Sequence, residues 1–290
     1  MSLVFEPISL EKQAEYTKLF ESCPQPSSDY TFANLWGWAE EFHLSWAWDG
    51  DIVWIRQEKP LSYWAPVGRW EDEDWSNRLN AFTAGSTFIR VPEQLVLIWQ
   101  DQMADRVKIS DSRKHWDYLY SCKELIELRG NRFHGKKNRL TQFQNNYAYQ
   151  YLPMEESMVD KTLRMQEDWC AWKNCEASAG LTAENRVIER ILLGWDRFAR
   201  LVGGVILIDR QVAAFTVGEI VRPNTLVIHV EKGLAEYKGI YQAINNLFLE
   251  ATPEAELVNR EQDLGNKGLR KAKMSYHPID FIKKYTVVLK

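Results

Sequence analysis

Residues 201–259 read LVGGVILIDRQVAAFTVGEIVRPNTLVIHVEKGLAEYKGIYQAINNLFLEATPEAELVN, and this stretch decides the fold. Three runs of apolar and β-branched residues predict successive strands: 201–208, 211–220 and 225–232. Asp209 and Arg210 make the tight turn between the first two strands. After Gly239, apolar residues recur at helical spacing until Pro253, which predicts a crossover helix. A short strand follows over 256–259.

The same element types continue outward from this stretch. On its amino-terminal side, apolar periodicity predicts one helix over 155–174 and a second helix that Thr182 caps. On its carboxyl-terminal side we predict a helix over 266–273 and a final strand over 281–289. The first half of the chain alternates short strands and helices, with a hairpin turn at Asp49–Gly50. The fold class is therefore α+β, with mixed, mainly antiparallel sheets flanked by helices.

Length and composition are those of a folded protein with two unlike halves. The chain has 290 residues, 45% hydrophobic and 26% charged, which fits two domains. Residues 1–128 hold 12 Lys and Arg against 21 Asp and Glu, whereas residues 129–290 hold 24 against 19. Ten of the 13 tryptophans lie before residue 120. We predict an acidic, Trp-rich domain over 1–145 and a basic, site-bearing domain over 146–290.

The composition also predicts a cytoplasmic protein. Apolar runs fall short of the ~18–20 residues that span a bilayer, and the start of the chain does not have the pattern of a signal peptide. The four cysteines are too few and too scattered for a disulfide framework, which indicates a reducing compartment.

The densest run of positive charge, RGNRFHGKKNR (129–139), is the first candidate site. Basic side chains in this density bind the phosphates of RNA, a nucleotide or a lipid headgroup. The alternative is a solvated segment that pairs with the acidic half. A helix beginning near Lys136 would put cations at its positive end, which favours an anionic ligand nearby. We predict anion binding by Arg129, Arg132, Lys136, Lys137 and Arg139, with Asn138 positioning the substrate.

The second candidate segment is VNREQDLGNKGLRKAKMSYHP (258–278). Asn259 and Asp263 leave a strand on one face, and Arg270 and Lys273 are neighbours on the following helix. Asp263 is placed to orient or deprotonate an amine, Asn259 to position the substrate, and the two cations to bind the donor. The alternative is that Asp263 caps the helix and Arg270 pairs internally.

The third segment, HVEKGLAEYKGIYQAIN (229–245), ends a strand and begins a helix. Clefts open at strand ends, so Glu231 is a catalytic candidate and Lys232 an anion-binding one, while His229 positions the substrate or belongs to the core. Gly239 begins a helix whose amino terminus would face phosphates. Glu236 and Tyr241 depart from the acetyl-CoA loop, which makes tight binding of coenzyme A doubtful.

Other chemistry is not indicated. Cys170 and Cys175 do not have zinc-ligand spacing, no metal site is predicted, and nucleotide or hydrolase motifs are absent from the sequence.

The three segments, together with YLYSCKELIELRGNRFHGKKNRLTQF (118–143), resemble the family named for the C-terminal domain of phosphatidylglycerol lysyltransferase. The order of strands and helices in the second half likewise resembles the GNAT superfamily of N-acyltransferases, in which acyl donors bind where the fourth strand splays from the fifth. The resemblance implies two tandem GNAT-like domains related to Fem-type aminoacyl-tRNA transferases. Named members pass an aminoacyl group from tRNA to a phosphatidylglycerol headgroup, but they carry an upstream membrane domain that this sequence does not show.

The leading hypothesis is an acyl- or aminoacyltransferase that works in a cleft between the two domains. Its donor would be aminoacyl-tRNA or acyl-CoA, and its acceptor an amine or hydroxyl of a small molecule or lipid headgroup. No bound cofactor is predicted. The alternatives are an acyl-CoA-dependent N-acyltransferase and a non-catalytic module that binds RNA or an anionic metabolite. A peripheral lipid-headgroup binder is disfavoured, and the oligomeric state is open.

Overall fold

The computed structural model describes residues 3–222 and 224–290. Its strands, in chain order, are β1 Glu6–Pro7, β2 Leu44–Asp49, β3 Ile52–Glu58, β4 Leu61–Trp64, β5 Val67–Gly68, β6 Thr87–Pro92, β7 Val107–Asp111, β8 Asp117–Ser121, β9 Tyr149–Pro153, β10 Leu201–Ile208, β11 Gln211–Arg222, β12 Thr225–Gly233, β13 Leu257–Asn259, β14 Asp280–Ile282 and β15 Lys284–Leu289. Its α-helices are α1 Gln13–Ser22, α2 Phe32–Gly37, α3 Trp75–Arg78, α4 Glu93–Met103, α5 Cys122–Glu127, α6 His134–Asn146, α7 Val159–Lys173, α8 Ala179–Leu193, α9 Ile240–Glu250 and α10 Lys267–Met274.

The chain forms two compact units. Unit 1 contains the chain up to Tyr118 together with Glu261–Lys271 and Asp280–Lys290, and unit 2 contains Leu119–Arg260 and Ala272–Ile279. These units do not coincide with a division at 145/146, which stays a prediction about the two domains. The difference arises because the end of the chain belongs to unit 1, whereas residues 119–145 belong to unit 2.

Unit 1 is built on a mixed sheet of order β1-β2-β3-β4-β6-β15-β7, with β5 paired to β3. Asp49–Gly50 makes the predicted hairpin turn, and β2 and β3 pair from Leu44↔Gln57 to Asp49↔Ile52. The tryptophans fill the core of this unit, and six of them are almost fully buried: Trp46, Trp54, Trp64, Trp70, Trp75 and Trp99. The final strand predicted over 281–289 is two strands, of which β15 lies between β6 and β7.

Unit 2 is built on a sheet of order β8-β13-β12-β11-β10-β9. The meander β10–β11–β12 is antiparallel, and β13 pairs in parallel with β12. The turn at Asp209 and Arg210 has positive φ at both residues, as a two-residue hairpin of type I′ requires. Helix α9 packs its apolar face on the sheet and on α6, where Leu140 and Phe143 meet Ile240 and Ile244 in one core.

Two local predictions in unit 2 were wrong. The N-cap of α8 is Ser178, whose hydroxyl oxygen accepts from the Leu181 amide at 3.4 Å, and Thr182 lies inside the helix. Cys170 and Cys175, which the sequence led us to expect reduced, form a disulfide between the end of α7 and the turn that follows it. Cys23 and Cys122 are buried, and neither is disulfide-bonded within residues 3–222 and 224–290.

The α+β class with mixed, mainly antiparallel sheets flanked by helices is confirmed. No helix in the described ranges 3–222 and 224–290 has the length and apolar character that crossing a bilayer requires.

Candidate active site

The pairing of β12 with β13 in unit 2 covers only the first part of β12. The two strands pair from Thr225↔Leu257 to Val227↔Asn259. Beyond Val227, β12 continues to Gly233 along β11 alone, while β13 ends. The pairing with β11 shifts register between Val217 and Gly218, so that His229 is the extra residue of a bulge. The end of β12 therefore has one unpaired edge, beside which Arg260 follows directly on β13.

A buried ion pair joins the two strands. Arg260 Nη2 donates to Glu231 Oε1 at 3.0 Å, and Asn245 Nδ2 of α9 donates to Glu231 Oε2 at 3.0 Å. The Arg260 and Glu231 side chains are only 14% and 11% exposed. Burial alone would lower the pKa of Arg260, but the charge of Glu231 and the contributions of Tyr276 and Tyr120 together raise that pKa. Both carboxylate oxygens of Glu231 are thus committed to protein donors.

The ring of Tyr276 holds two cations at this point. The guanidinium carbon of Arg260 lies 4.8 Å from the ring centroid, and the Lys136 ammonium lies 3.9 Å from it. Gln242 Nε2 donates to the Tyr276 hydroxyl at 3.1 Å and fixes the ring. Burial, with the charges of Arg260 and then Arg139, lowers the pKa of Lys136 to about 8. We call Lys136, Glu231, Gln242, Arg260 and Tyr276 the Tyr276 cluster.

Lys273 supports the backbone beside this cluster. Its ammonium donates to the carbonyl oxygen of Arg260, and its own carbonyl accepts from the Tyr120 hydroxyl at 3.0 Å. Lys273, Lys136 and Glu231, which the sequence placed in three separate segments, therefore meet in unit 2. Asn259, at the end of β13, is buried.

The rest of the basic run lies just before α6 and in its first turns, and its basic side chains face solvent. Lys137 and Arg139 are exposed. Arg129 and Arg132 pair with Glu127 and Glu124, respectively. The amide of Asn138 contacts His134 Nε2 at 3.0 Å.

Lys232 and His229 have different surroundings from Glu231. Lys232 Nζ donates to Glu184 Oε2 at 2.9 Å and lies 3.9 Å from the Trp169 ring. His229 Nε2 lies 3.4 Å from Glu219 Oε2 and is buried. The chemistry around these two residues is that of a packed sheet face, and neither belongs to the Tyr276 cluster.

Several backbone amides around the start of α9 are already used within the protein. A Cβ on Gly239 would lie 2.2 Å from the carbonyl oxygen of Arg139, so this glycine allows α6 and α9 to approach closely. Four amides of the preceding loop donate within the protein, as follows: Leu234 to Ala213 O, Tyr237 to Leu234 O, Lys238 to Tyr147 Oη and Ile240 to Tyr237 O. These contacts argue against the predicted role of Gly239 as a phosphate ligand.

Asp263 and Arg270 lie in unit 1, where the carboxylate of Asp263 is fully buried and saturated with donors. It accepts from Arg270 Nε and Nη2 at 2.8 and 2.9 Å, from the Tyr118 hydroxyl at 2.6 Å and from the Gly265 amide at 2.8 Å. Arg113 adds a second guanidinium at 3.2 Å. Burial would raise the pKa of Asp263, but the hydrogen bonds from Arg270 and Tyr118 lower it to about 2. This environment is that of a structural ion pair and is unsuited to the predicted base.

Sequence reasoning did not single out Arg260, Tyr276, Gln242 or Asn245. Arg260 and Tyr276 both lie in the quoted segment 258–278. The prediction followed the odd-numbered positions Asn259 and Asp263, which alternate with Arg260. The sequence feature that could have identified Arg260 is a charged residue directly after a strand that was expected to diverge from its neighbour.

Comparisons with known proteins identify the family of the chain. The family model described as phosphatidylglycerol lysyltransferase, C-terminal, matches residues 20–288. The chain belongs to this family. A conserved protein of unknown function from Bacteroides thetaiotaomicron is 27% identical with a TM-score of 0.91, over 99% of this chain and all of that one. A comparison with curated proteins found no match.

Two further structures share the fold. The C-terminal domain of a putative lysylphosphatidylglycerol synthetase from Agrobacterium fabrum has a TM-score of 0.65 at 16% identity, over 97% of this chain and 92% of that one. FemX has a TM-score of 0.62 at 7% identity, over 98% and 97% of the two chains. The predicted tandem GNAT-like architecture is confirmed, and the family and fold are those of acyltransferases, either aminoacyltransferase-like or GNAT-like.

Proposed function

We propose that the protein transfers an aminoacyl group from aminoacyl-tRNA to an amine or hydroxyl acceptor at the divergence of β12 and β13. The observation that carries this proposal is the Tyr276 cluster, where two cations and one carboxylate lie at the end of β12, beyond its pairing with β13. Membership of the lysyltransferase family supports it.

An RNA donor fits this unit better than coenzyme A. The pyrophosphate of coenzyme A needs free amides before α9, and those of Leu234, Tyr237, Lys238 and Ile240 already donate within the protein. Exposed Lys137 and Arg139 at the start of α6 instead suit the phosphates of a nucleic acid. They follow Lys136, which reaches into the cluster, so phosphate contacts and the reacting centre would share one helix turn.

The reaction needs no free carboxylate base. The acceptor nitrogen or oxygen forms a bond to the ester carbon, and the bond from that carbon to the ribose oxygen breaks. The proton that the nucleophile loses ends on the ribose oxygen. Since Glu231 and Asp263 are both committed to other donors, catalysis rests on positioning and electrostatic stabilisation. Both candidate acceptors, a small-molecule amine and a lipid headgroup, are consistent with this chemistry, and a tRNA donor places the reaction in the cytoplasm.

A transfer assay tests the proposal directly. Bulk tRNA charged with radiolabelled amino acids is incubated with the protein and with either anionic phospholipid vesicles or a pool of small amines. Label in the organic phase identifies a lipid acceptor, and label in a new aqueous species identifies a soluble one. Wild-type protein that neither binds charged tRNA nor moves label would refute the proposal, as would micromolar binding of acetyl-CoA by titration calorimetry. RNA binding without transfer would support the binding-module alternative.

Charge reversal on α6 tests the RNA contact. Lys137→Glu with Arg139→Glu should weaken tRNA binding and lower the salt slope by about 2, because about one counterion is released per phosphate contact. The matched control is Lys161→Glu with Arg164→Glu, which makes the same charge change at exposed positions of α7. Equal losses in the two variants would show that net charge, and not this segment, binds the RNA.

A further inference from the structure

The Tyr276 cluster contains more positive than negative charge. Lys136 and Arg260 both contact the Tyr276 ring, and Glu231 is the one carboxylate paired with either of them in the described part of the chain. Glu231 holds Nη2 of Arg260 and shares its other oxygen with Asn245. Lys136, half-buried, has the face of an aromatic ring as its partner. Such an excess of charge at half-buried and nearly buried positions is costly unless a ligand supplies the counter-charge.

Arg260 also carries a buried donor that nothing uses. Its Nη1 is inaccessible to solvent and has no hydrogen-bond partner within residues 3–222 and 224–290. A buried donor without a partner is costly, and a ligand atom would supply the acceptor that this donor lacks. The pair with Glu231 fixes the rotation of the guanidinium, and the Tyr276 ring fixes its plane. The unused N–H is therefore held in one orientation before any ligand arrives.

We propose that Arg260 Nη1 and Lys136 Nζ bind the carbonyl oxygen of the transferred aminoacyl group and stabilise the oxyanion that forms there. This inference rests on the proposed transfer reaction and assigns two of its catalytic residues. When the nucleophile bonds to the ester carbon, the carbonyl electron pair moves to that oxygen. Its return breaks the bond to the ribose oxygen, which leaves with the proton of the nucleophile. Donors that are already oriented stabilise this charge without reorganisation.

Tyr276 and Gln242 act as positioning residues in this arrangement. The ring attracts both cations through its face without neutralising them, as a carboxylate would. Gln242 holds the ring by its hydroxyl. Glu231 orients the Arg260 guanidinium, as the acidic member of a catalytic triad orients the base.

Two probes that differ only at the reacting carbon test the inference. One is 3′-lysylamino-3′-deoxyadenosine, a stable amide of the aminoacyl end of tRNA. The other replaces its carbonyl carbon with a tetrahedral phosphorus that carries a negative oxygen. Wild-type protein should bind the phosphorus probe at least tenfold more tightly than the amide, because oxyanion donors favour the transition state over the ground state. Titration calorimetry measures both affinities.

The variants Arg260→Lys and Lys136→Met should remove most of that preference while changing amide binding by only a few fold. Arg260→Lys keeps the charge but loses the second terminal nitrogen of the guanidinium, so it remains informative if larger changes unfold the protein. Arg164→Lys on α7 is the control and should keep the full preference. Thermal unfolding of each variant shows whether it is folded under the assay conditions.

Each outcome separates the inference from the proposed function. If neither probe nor aminoacyl-tRNA binds the wild type, the proposed function fails. If both probes bind and the folded variants lose affinity for both equally, the cluster is a structural or general binding feature and the inference is wrong. Inorganic phosphate that displaces the amide as effectively as the phosphorus probe does would also overturn it, since the cluster would then be a simple anion site.

Discussion

Replacing Asp263 by Asn separates a structural ion pair from a catalytic base. The carboxylate accepts from Arg270, Tyr118 and the Gly265 amide, with Arg113 also within ion-pair distance. We expect Asp263→Asn to lower the free energy of unfolding at pH 7 by about 3 kcal/mol, the lower end of the cost of breaking a buried pair. The lower end applies because Arg113 and Arg270 are 29% and 39% exposed, so water compensates part of the lost interaction.

The pH dependence gives an independent measure of the same interaction. The pKa of Asp263 is about 2 in the folded protein, against an ordinary value of 3.8. A lowered pKa stabilises the fold above the unfolded value, and this contribution is lost as pH falls from 3.8 towards 2. This difference between the folded and the ordinary pKa corresponds to about 2 kcal/mol of stability. The stability difference between wild type and variant should therefore shrink over this window.

Urea unfolding followed by tryptophan fluorescence, at pH values from 7 down to 2.5, measures that difference. Asp72→Asn is the control, because the Asp72 side chain is 82% exposed and its nearest cation, Arg69, is 3.9 Å away. It should change stability by less than about 0.5 kcal/mol. An Asp263→Asn protein as stable as wild type, yet unable to transfer label, would refute the structural interpretation and restore Asp263 as the base.

Three further substitutions test the packing on which the two units depend. Gly239→Ala should destabilise the protein by at least about 1 kcal/mol in urea, because φ is +88° and the new Cβ meets the Arg139 carbonyl. Unchanged stability would contradict the close approach of α6 and α9. Lys284→Met should cost about 3–5 kcal/mol by leaving Asp29 and Asp117 short of a buried cation, whereas exposed Lys108→Met should cost almost nothing. Ser178→Ala should cost about 1 kcal/mol through the lost cap of α8, and a smaller thermal shift than that of Thr182→Ala would be evidence against this cap.

Local patterns predicted the meander of unit 2 because each of its signals lies within a few residues. The bounds of β10, the turn at Asp209–Arg210 and the start of α9 after Gly239 follow from alternation, turn chemistry and helical periodicity. The parallel pairing of β12 with β13 stops at Val227↔Asn259, and the splay expected from the order of elements stays a prediction.

Partners distant in sequence could not be predicted in this way. Strand β15 has ordinary alternation, but that pattern does not reveal that it pairs with β6 and β7. The polar character of Arg260 likewise suggests exposure, whereas its buried pair with Glu231 arises from the meeting of two strands and a helix. The same limit applies to Asp263, where sequence spacing allowed a base or a cap and only the full set of donors favours the structural role.

The buried charges of unit 1 show why the Tyr276 cluster is better explained by a ligand than by stability. In unit 1, Lys284 and Arg90 pair with Asp29 and Asp117, so positive and negative side chains are equal in number in this group. Burial and the charge of Arg90 lower the pKa of His115 to about 4, which keeps it neutral at pH 7 and preserves the balance.

Unit 2 contains a comparable group of charges in which positive side chains outnumber negative ones. Lys136 and Arg260 share a ring and a single carboxylate. A structural network gains nothing from such an excess, because a second carboxylate or an apolar replacement for Lys136 would lower the cost of burial. A catalytic site in which negative charge develops only during the reaction benefits from an excess of positive charge. Each neutralising group built into the fold would weaken the attraction for the oxyanion. The imbalance is therefore evidence for catalysis of the kind proposed, and an anionic transition-state probe is the ligand that should remove it.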